Sequence, residues 1–178
     1  MALKPQDLLV CLELATREEP RWTYAELAEA TGLSPSEANG AVDRALQAGL
    51  LSPAVEARGK PLVVRAALLD FLSHGVRHAF FAAPGRIVRG MPTAHGAPPL
   101  DALVQSGDEP LLVWPDPRGE HRGQSVEPLY PSVPEAARKN PRLYELLALT
   151  DALRCGRSRE RKLAAGALAE RLSHASGQ

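Results

Sequence analysis

Residues 23–51 read TYAELAEATGLSPSEANGAVDRALQAGLL, and this stretch predicts two helices joined by a tight turn. Thr23 and Ser34 each begin the pattern S/T-x-x-E, in which a hydroxyl and a carboxylate satisfy backbone amides at a helix start. Gly32 lies between the two predicted helices, where a glycine ends a helix in the left-handed conformation at low cost. Gly49 is expected to end the second helix in the same way.

The flanking residues extend this unit in both directions. A helix is expected from Pro5, because leucines then follow at helical spacing. Residues 50–51 and 62–64 are predicted as two short strands, and the polar residues 56–61 between them are predicted as the tip of a hairpin. We therefore expect residues 1–80 to form the first domain.

The composition of the chain changes after this domain. Ten of the 16 prolines fall between residues 84 and 134, which excludes long helices there. We expect residues 81–140 to form a proline-rich, irregular, extended region that packs on the first domain. Residues 141–178 are predicted to form a pair of C-terminal helices, because leucines again recur at helical spacing.

Length and charge exclude several classes of protein. The chain has 178 residues, with 21 Lys and Arg against 21 Asp and Glu. This balance excludes a strongly basic nucleic-acid coat and a charge-driven disordered tail. Two cysteines are too few for a disulfide framework. No signal peptide or membrane span is recognisable in the sequence, so we expect a cytoplasmic protein.

The stretch 23–51 resembles the winged helix-turn-helix of bacterial transcription regulators, most closely the MarR-like group. The matching positions include Leu27-Ala28, Gly32-Leu33-Ser34 and Gly49-Leu50, and the resemblance covers about residues 5–65. It implies a fold that is mainly α with a small β-wing. In this fold a winged helix-turn-helix is followed by the irregular extension and the C-terminal helices.

This resemblance implies a sequence-specific DNA-binding regulator, acting as a repressor and binding double-stranded DNA as a homodimer. Helix 35–48 would read the major groove, and wing 56–61 would contact the backbone or the minor groove. Asparagine pairs with adenine and arginine with guanine or phosphate. The expected DNA-binding residues are Ser36, Asn39, Asp43, Arg44, Gln47, Arg58 and Lys60. The dimer surface is expected either on Leu143, Leu146, Leu147 and Leu153 or on the last helix.

Residues 72–99 resemble the linker of winged-helix antitoxin proteins of the AbiE type. That likeness implies repression of the chain's own operon and a protein partner encoded nearby. The charge of residues 1–65 leaves this alternative open, since seven Lys and Arg face nine Asp and Glu there, a net charge of −2. The alternative is an antitoxin or adaptor whose winged helix binds protein and not DNA. Four basic residues are expected to contact a partner or the DNA backbone: Arg157, Arg159, Arg161 and Lys162.

The sequence does not favour an enzyme. Asp70, His74 and His78 have the spacing of metal ligands on a helix, but an exposed amphipathic face is the preferred interpretation. Cys155, close to two arginines, is the better candidate of the two cysteines for a reactive thiol, although buried structural cysteines are commoner. No nucleophile-elbow or phosphate-binding glycine motif occurs. We therefore expect no catalytic residues, no metal and no cofactor.

Overall fold

A computed structural model of the chain describes residues 2–19, 21–56, 59–104 and 107–173. The fold is mainly α-helical with small sheets, as the sequence predicts. None of the helices in these ranges is long and apolar enough to cross a membrane. The first three helices are α1 (Pro5–Ala15), α2 (Tyr24–Thr31) and α3 (Pro35–Gln47).

Both predicted helix starts are confirmed. The Thr23 hydroxyl accepts a hydrogen bond from the Glu26 amide at 3.2 Å, and the Glu26 carboxylate accepts one from the Thr23 amide at 2.7 Å. Ser34 and Glu37 form the same reciprocal pair at the start of α3. Gly32 ends α2 with a φ of 71°, a conformation that glycine adopts without the usual steric cost. Local sequence therefore determines the turn between α2 and α3.

A small hairpin follows α3, where the sequence predicts two short strands. Strand β1 (Leu51–Ser52) pairs antiparallel with strand β2 (Leu62–Val63). The predicted tip, residues 56–61, joins the two strands, but Ala57 and Arg58 lie outside the described residues. The order along the chain is thus three helices followed by a two-stranded hairpin.

Residues 81–140 contain a small three-stranded barrel, so the expectation of an irregular extension is wrong in this part. The barrel consists of β3 (Ile87–Thr93), β4 (Leu112–Pro115) and β5 (His121–Ser125). The first half of β3 pairs antiparallel with β5 and its second half with β4, while β4 and β5 pair in parallel and close the barrel.

Glycines explain how such short strands close on one another. A Cβ atom added to Gly90 would lie 2.1 Å from the carbonyl oxygen of Trp114. A side chain at this position would therefore prevent the close approach of β3 and β4. The prolines correctly excluded long helices, but Pro92 and Pro115 lie within the barrel strands themselves. The high proline content of this region therefore gave no indication of a sheet with such short strands.

The remaining helices of the described chain complete the fold. A π-helical turn, Phe71–Gly75, joins α4 to α5. The helix α7 begins after Asn140, whose side chain accepts hydrogen bonds from the amides of Arg142 and Leu143. The predicted C-terminal pair corresponds to α7 and α8. The bounds are α4 (Arg65–Asp70), α5 (Val76–Ala79), α6 (Val133–Lys139), α7 (Pro141–Cys155) and α8 (Ser158–Ser173).

Helices α1 and α7 lie in the core and pack on each other. All residues from Asp7 to Ala15 and from Leu146 to Arg154 are buried. A helix that is buried on every side has no face left for a second subunit. The four leucines are therefore not available as a dimer surface, because further elements cover the leucine face of α7, while a dimer surface on the last helix stays a prediction. These leucines lie in the core of the protomer itself: Leu143, Leu146, Leu147 and Leu153.

A buried polar network fastens the barrel to α7. The carboxylate of Asp151 accepts hydrogen bonds from Thr93 on β3 at 2.8 Å and from the indole of Trp114 on β4 at 2.6 Å. Its other oxygen pairs with Arg154 at 2.6 Å, and Arg154 also donates to the carbonyl of Phe80. Both charged side chains are almost fully buried. The network fixes how the barrel is oriented on the helical core.

Candidate interaction surface of α2, α3 and the hairpin

Four of the expected DNA-binding residues lie on exposed positions of α3. Ser36, Asn39, Asp43 and Gln47 are all solvent-exposed. Their spacing of three or four residues places them on one side of the helix, because the buried side is occupied by alanines and by Val42. This side of α3 therefore presents a hydroxyl, two amides and one carboxylate to solvent.

Arg44 is placed differently from the expectation. Its guanidinium donates two hydrogen bonds to the carboxylate of Asp7 in α1, from Nε at 2.8 Å and from Nη2 at 2.7 Å. The Asp7 side chain is fully buried, and that of Arg44 is only 11% exposed. These hydrogen bonds raise the pKa of Arg44 above its ordinary value. Arg44 therefore neutralises a buried charge and is not presented to a guanine or a phosphate.

The exposed charges that remain on α2 and α3 are all negative. Arg44 is the only basic residue in these two helices, and the carboxylates of both capping pairs are exposed. Hydrogen bonds from the backbone amides of Thr23 and Ser34 lower the pKa of Glu26 and Glu37, so both stay ionised at neutral pH. We call this surface the α2–α3 acidic face. Its carboxylates are Glu26, Glu29, Glu37 and Asp43.

Lys60, the expected phosphate contact in the hairpin, lies over two aromatic rings. Its Nζ is 4.7 Å from the ring centroid of Tyr24 and 5.3 Å from that of Trp22. The two rings meet edge to face, with centroids 5.2 Å apart. Such cation–π contacts are each worth about 0.5–1 kcal/mol at exposed sites. They hold Lys60 against the start of α2. Arg58, its expected companion, is outside the described residues.

A distant segment packs against the turn between α2 and α3. The Tyr130 hydroxyl donates to the Glu37 carboxylate at 3.0 Å, and the Ser132 hydroxyl donates to the carbonyl of Thr31 at 2.5 Å. A Cβ atom added to Gly32 would lie only 2.6 Å from the Cβ of Ser132, so Ser132 packs directly against this glycine. The start of α3 is therefore partly covered by residues a hundred positions away. No signal in the sequence pairs these two segments.

The C-terminal basic residues do not form one continuous patch. Arg157 is paired with Glu109, and Arg161 donates to the carbonyl of Gly156 at 2.6 Å. Arg159 and Lys162 are exposed and have no hydrogen bond or ion pair to any residue that the structure describes. Of the four expected contacts, two are thus engaged within the chain and two are available.

Of the three candidate metal ligands Asp70, His74 and His78, only the first two are in contact. His74 Nδ1 lies 3.0 Å from the carboxylate of Asp70, while His78 is exposed at the end of α5. The π-helical turn between them changes the helical register, so the regular spacing of the sequence does not bring all three together. Among the described residues there is no group of three or more His, Cys, Asp or Glu that is suited to a metal ion.

Burial disfavours the thiolate form of both cysteines. It raises the pKa of Cys11 and of Cys155 to about 12, and nearby Asp7 and Asp151 respectively add to the effect. Because only the thiolate is nucleophilic, alkylation of Cys155 at about pH 8 should be about a thousandfold slower than in the unfolded chain. Its rate should rise about tenfold per pH unit as long as the protein stays folded.

Iodoacetamide labelling followed by peptide mass spectrometry measures this rate for each cysteine, and the same chain in urea is the control. A rate for native Cys155 equal to that of the unfolded chain would support the interpretation of this residue as a reactive thiol.

The α2–α3 surface combines two helices, a tight turn and an excess of exposed carboxylates, next to a hairpin that carries Lys60. Amides from α3 are available for hydrogen bonding, and neither α2 nor α3 has an unpaired cation. We compared the chain with family models, with curated proteins and with solved structures, and none of them matches.

Proposed function

We propose that this chain is a winged-helix interaction module whose α2–α3 acidic face binds a protein partner and not DNA. The order of three helices and a hairpin supports a winged helix-turn-helix in residues 1–80. The observation that carries the choice of ligand is the ion pair between Arg44 and Asp7. Because Arg44 is paired with Asp7, the charged groups that α2 and α3 expose are all carboxylates. In a DNA-reading winged helix-turn-helix, these two helices would approach the DNA.

Electrostatics favours a protein partner over DNA at this face. Duplex DNA carries one negative charge per 1.7 Å of its axis, and most of the affinity for it comes from cations placed against phosphates. Placing like charges against each other costs several kcal/mol. Tyr130 and Ser132 further occupy the space beside the start of α3, which a major-groove reader needs for the bases.

The partner that fits this face presents lysines or arginines to the carboxylates and accepts hydrogen bonds from Asn39 and Gln47. A Cβ atom at Gly40 would lie 3.2 Å from Nη1 of Arg44, so this glycine leaves room for the guanidinium that pairs with Asp7. The resemblance to antitoxins makes the protein encoded next to this chain's gene the first candidate. We place the interaction in the cytoplasm, and homodimerisation stays a prediction.

DNA reading is the second candidate function. Ser36, Asn39 and Gln47 are exposed on one side of α3 and have the chemistry to contact base edges. Lys60 is held by the hairpin beside them and has donors to spare for a phosphate. In this alternative the chain is a repressor that binds the DNA upstream of its own gene.

Fluorescence anisotropy separates the two functions. We expect the protein to bind its own upstream duplex no more tightly than a scrambled duplex at about 150 mM salt, where electrostatic contacts are screened. We also expect Asn39→Ala and Gln47→Ala to leave any residual DNA binding unchanged. Tighter binding to the native duplex that both substitutions weaken about tenfold or more would establish DNA reading by α3 instead.

Co-purification with the tagged neighbouring gene product tests the protein-binding function directly. Asp43→Lys should weaken that complex by about tenfold or more, because it places a cation opposite the partner's cations. Asp108→Lys reverses an exposed charge outside the α2–α3 acidic face and is the matched control. Loss of the complex in both variants, or in neither, would contradict the acidic face as its binding site.

A further inference from the structure

The barrel carries an unbalanced pair of arginines on its outer surface. Arg89 on β3 and Arg122 on β5 lie directly opposite each other in the antiparallel ladder. Both are exposed, while the alternate positions Gly90 and Gly123 are buried. Residues paired in this way have Cβ atoms about 5 Å apart, and like charges in such a pair destabilise a sheet. The barrel thus tolerates a repulsion that a bound anion would relieve.

Neither arginine has a carboxylate partner in the described structure. Arg89 donates only to the carbonyl of Gly119, at 3.3 Å, and Arg122 has no hydrogen bond or ion pair with the described residues. Two other arginines near the barrel are neutralised. Arg118 and Arg138 each form ion pairs with Asp116 and Glu135. The guanidinium of Arg122 therefore has no partner among the described residues, and that of Arg89 keeps further N–H donors beyond its one bond to Gly119.

Apolar and polar groups flank these guanidinium groups. Ile87 precedes Arg89 by two residues on the same side of β3, is 48% exposed, and lies opposite Gln124. Glu120 is an exposed carboxylate two residues before Arg122, so the cations outnumber it. We call the set Ile87, Arg89, Arg122 and Gln124 the barrel arginine face.

We propose that the barrel arginine face binds single-stranded nucleic acid, with Arg89 and Arg122 contacting its phosphates. Guanidinium groups bind phosphate bidentately and also stack on bases. The exposed Ile87, on the same side of β3 as Arg89, offers apolar surface to unstacked bases. A duplex keeps those base faces hidden, whereas a single strand presents its bases together with its phosphates. This site is separate from the α2–α3 acidic face and goes beyond the proposed function.

Anisotropy of a fluorescein-labelled oligonucleotide of about 20 nucleotides, titrated with the full chain, tests this site. The double variant Arg89→Ala/Arg122→Ala should bind about tenfold more weakly or worse. It should also reduce the slope of log K against log salt by about 1.4, which is about 0.7 for each lost phosphate contact. Arg89→Lys/Arg122→Lys should retain the salt slope, because it keeps both charges.

Arg21→Ala is the matched control, since it removes an exposed arginine that lies outside the barrel and has no hydrogen bond or ion pair to the described residues. Its binding should equal that of the unchanged protein. Absence of binding at about 50 mM salt, or equal affinity of the double variant, would overturn the proposal. Equal affinity for a duplex of the same length, or for a labelled poly-glutamate peptide, would overturn it as well. Asp43→Lys changes the α2–α3 acidic face and is expected to leave oligonucleotide binding intact. A failure of the barrel site can therefore be distinguished from a failure of the proposed protein-binding function.

Discussion

Replacing Arg44 by alanine is expected to lower the free energy of unfolding by about 3–5 kcal/mol. The substitution leaves the Asp7 carboxylate without its cation, and the Asp7 side chain has no exposure to water. The remaining hydrogen bond to Asp7, from the amide of Lys4 at 2.7 Å, does not replace the lost charge. Such a loss is a large fraction of the total stability of a domain.

Urea unfolding followed by circular dichroism measures this loss. Gln47→Ala is the control on the same helix, because its side chain is exposed, and it should change stability by less than about 0.5 kcal/mol. Arg44→Lys should fall between the two, since lysine keeps the charge but cannot form the bidentate pair. A loss below about 1 kcal/mol for Arg44→Ala would show that the guanidinium is not committed to Asp7. Arg44 would then return to the DNA-reading candidates.

Replacing Asp151 by asparagine is expected to cost about 3–5 kcal/mol as well. The new side chain has nearly the same shape, so the cost arises mainly from the uncompensated charge of Arg154, whose side chain is 5% exposed. The asparagine also presents an amide group where the carboxylate accepted hydrogen bonds from Thr93 and Trp114. Because these donors lie on β3 and β4, the barrel should loosen from α7 first.

The same urea experiment, together with tryptophan fluorescence, reports both effects. Thr93→Val removes one neutral donor to Asp151 and keeps the ion pair, so it should cost only about 1 kcal/mol. It also provides a measurable variant if Asp151→Asn does not fold at all. Similar losses for the two variants would mean that Asp151 contributes hydrogen bonds but does not neutralise Arg154.

The elements predicted most accurately are those governed by neighbouring residues. The reciprocal capping pairs at Thr23 and Ser34 form within one turn of a helix, and Gly32 needs only its own backbone to end α2. The exposure of Asn39 and Gln47 follows from helical periodicity around a buried alanine face. A reader of the sequence can therefore recover α2, α3 and most outward residues of α3, although the pairing of Arg44 with Asp7 depends on a distant contact.

The barrel and the covering segment could not be recovered in this way. Gly90 matters because the backbone of Trp114 passes close to it, and the high proline content of this region says nothing about such an approach. Tyr130 reaches Glu37 across most of the chain, and no local pattern connects them. Long-range pairings of this kind depend on how the whole chain packs.

The sequence by itself determined where the helices of the N-terminal unit begin and end, because capping, periodicity and glycine conformation act over a few residues. Only the tertiary structure decided the chemistry of its surface. The partner of Arg44 lies 37 positions away in α1, and burying that carboxylate requires a nearby cation. The two cross-strand arginines become neighbours only when β3 pairs with β5. The sequence shows which residues are charged. Whether a charge is neutralised within the chain or available to a ligand depends on which residues the fold brings together.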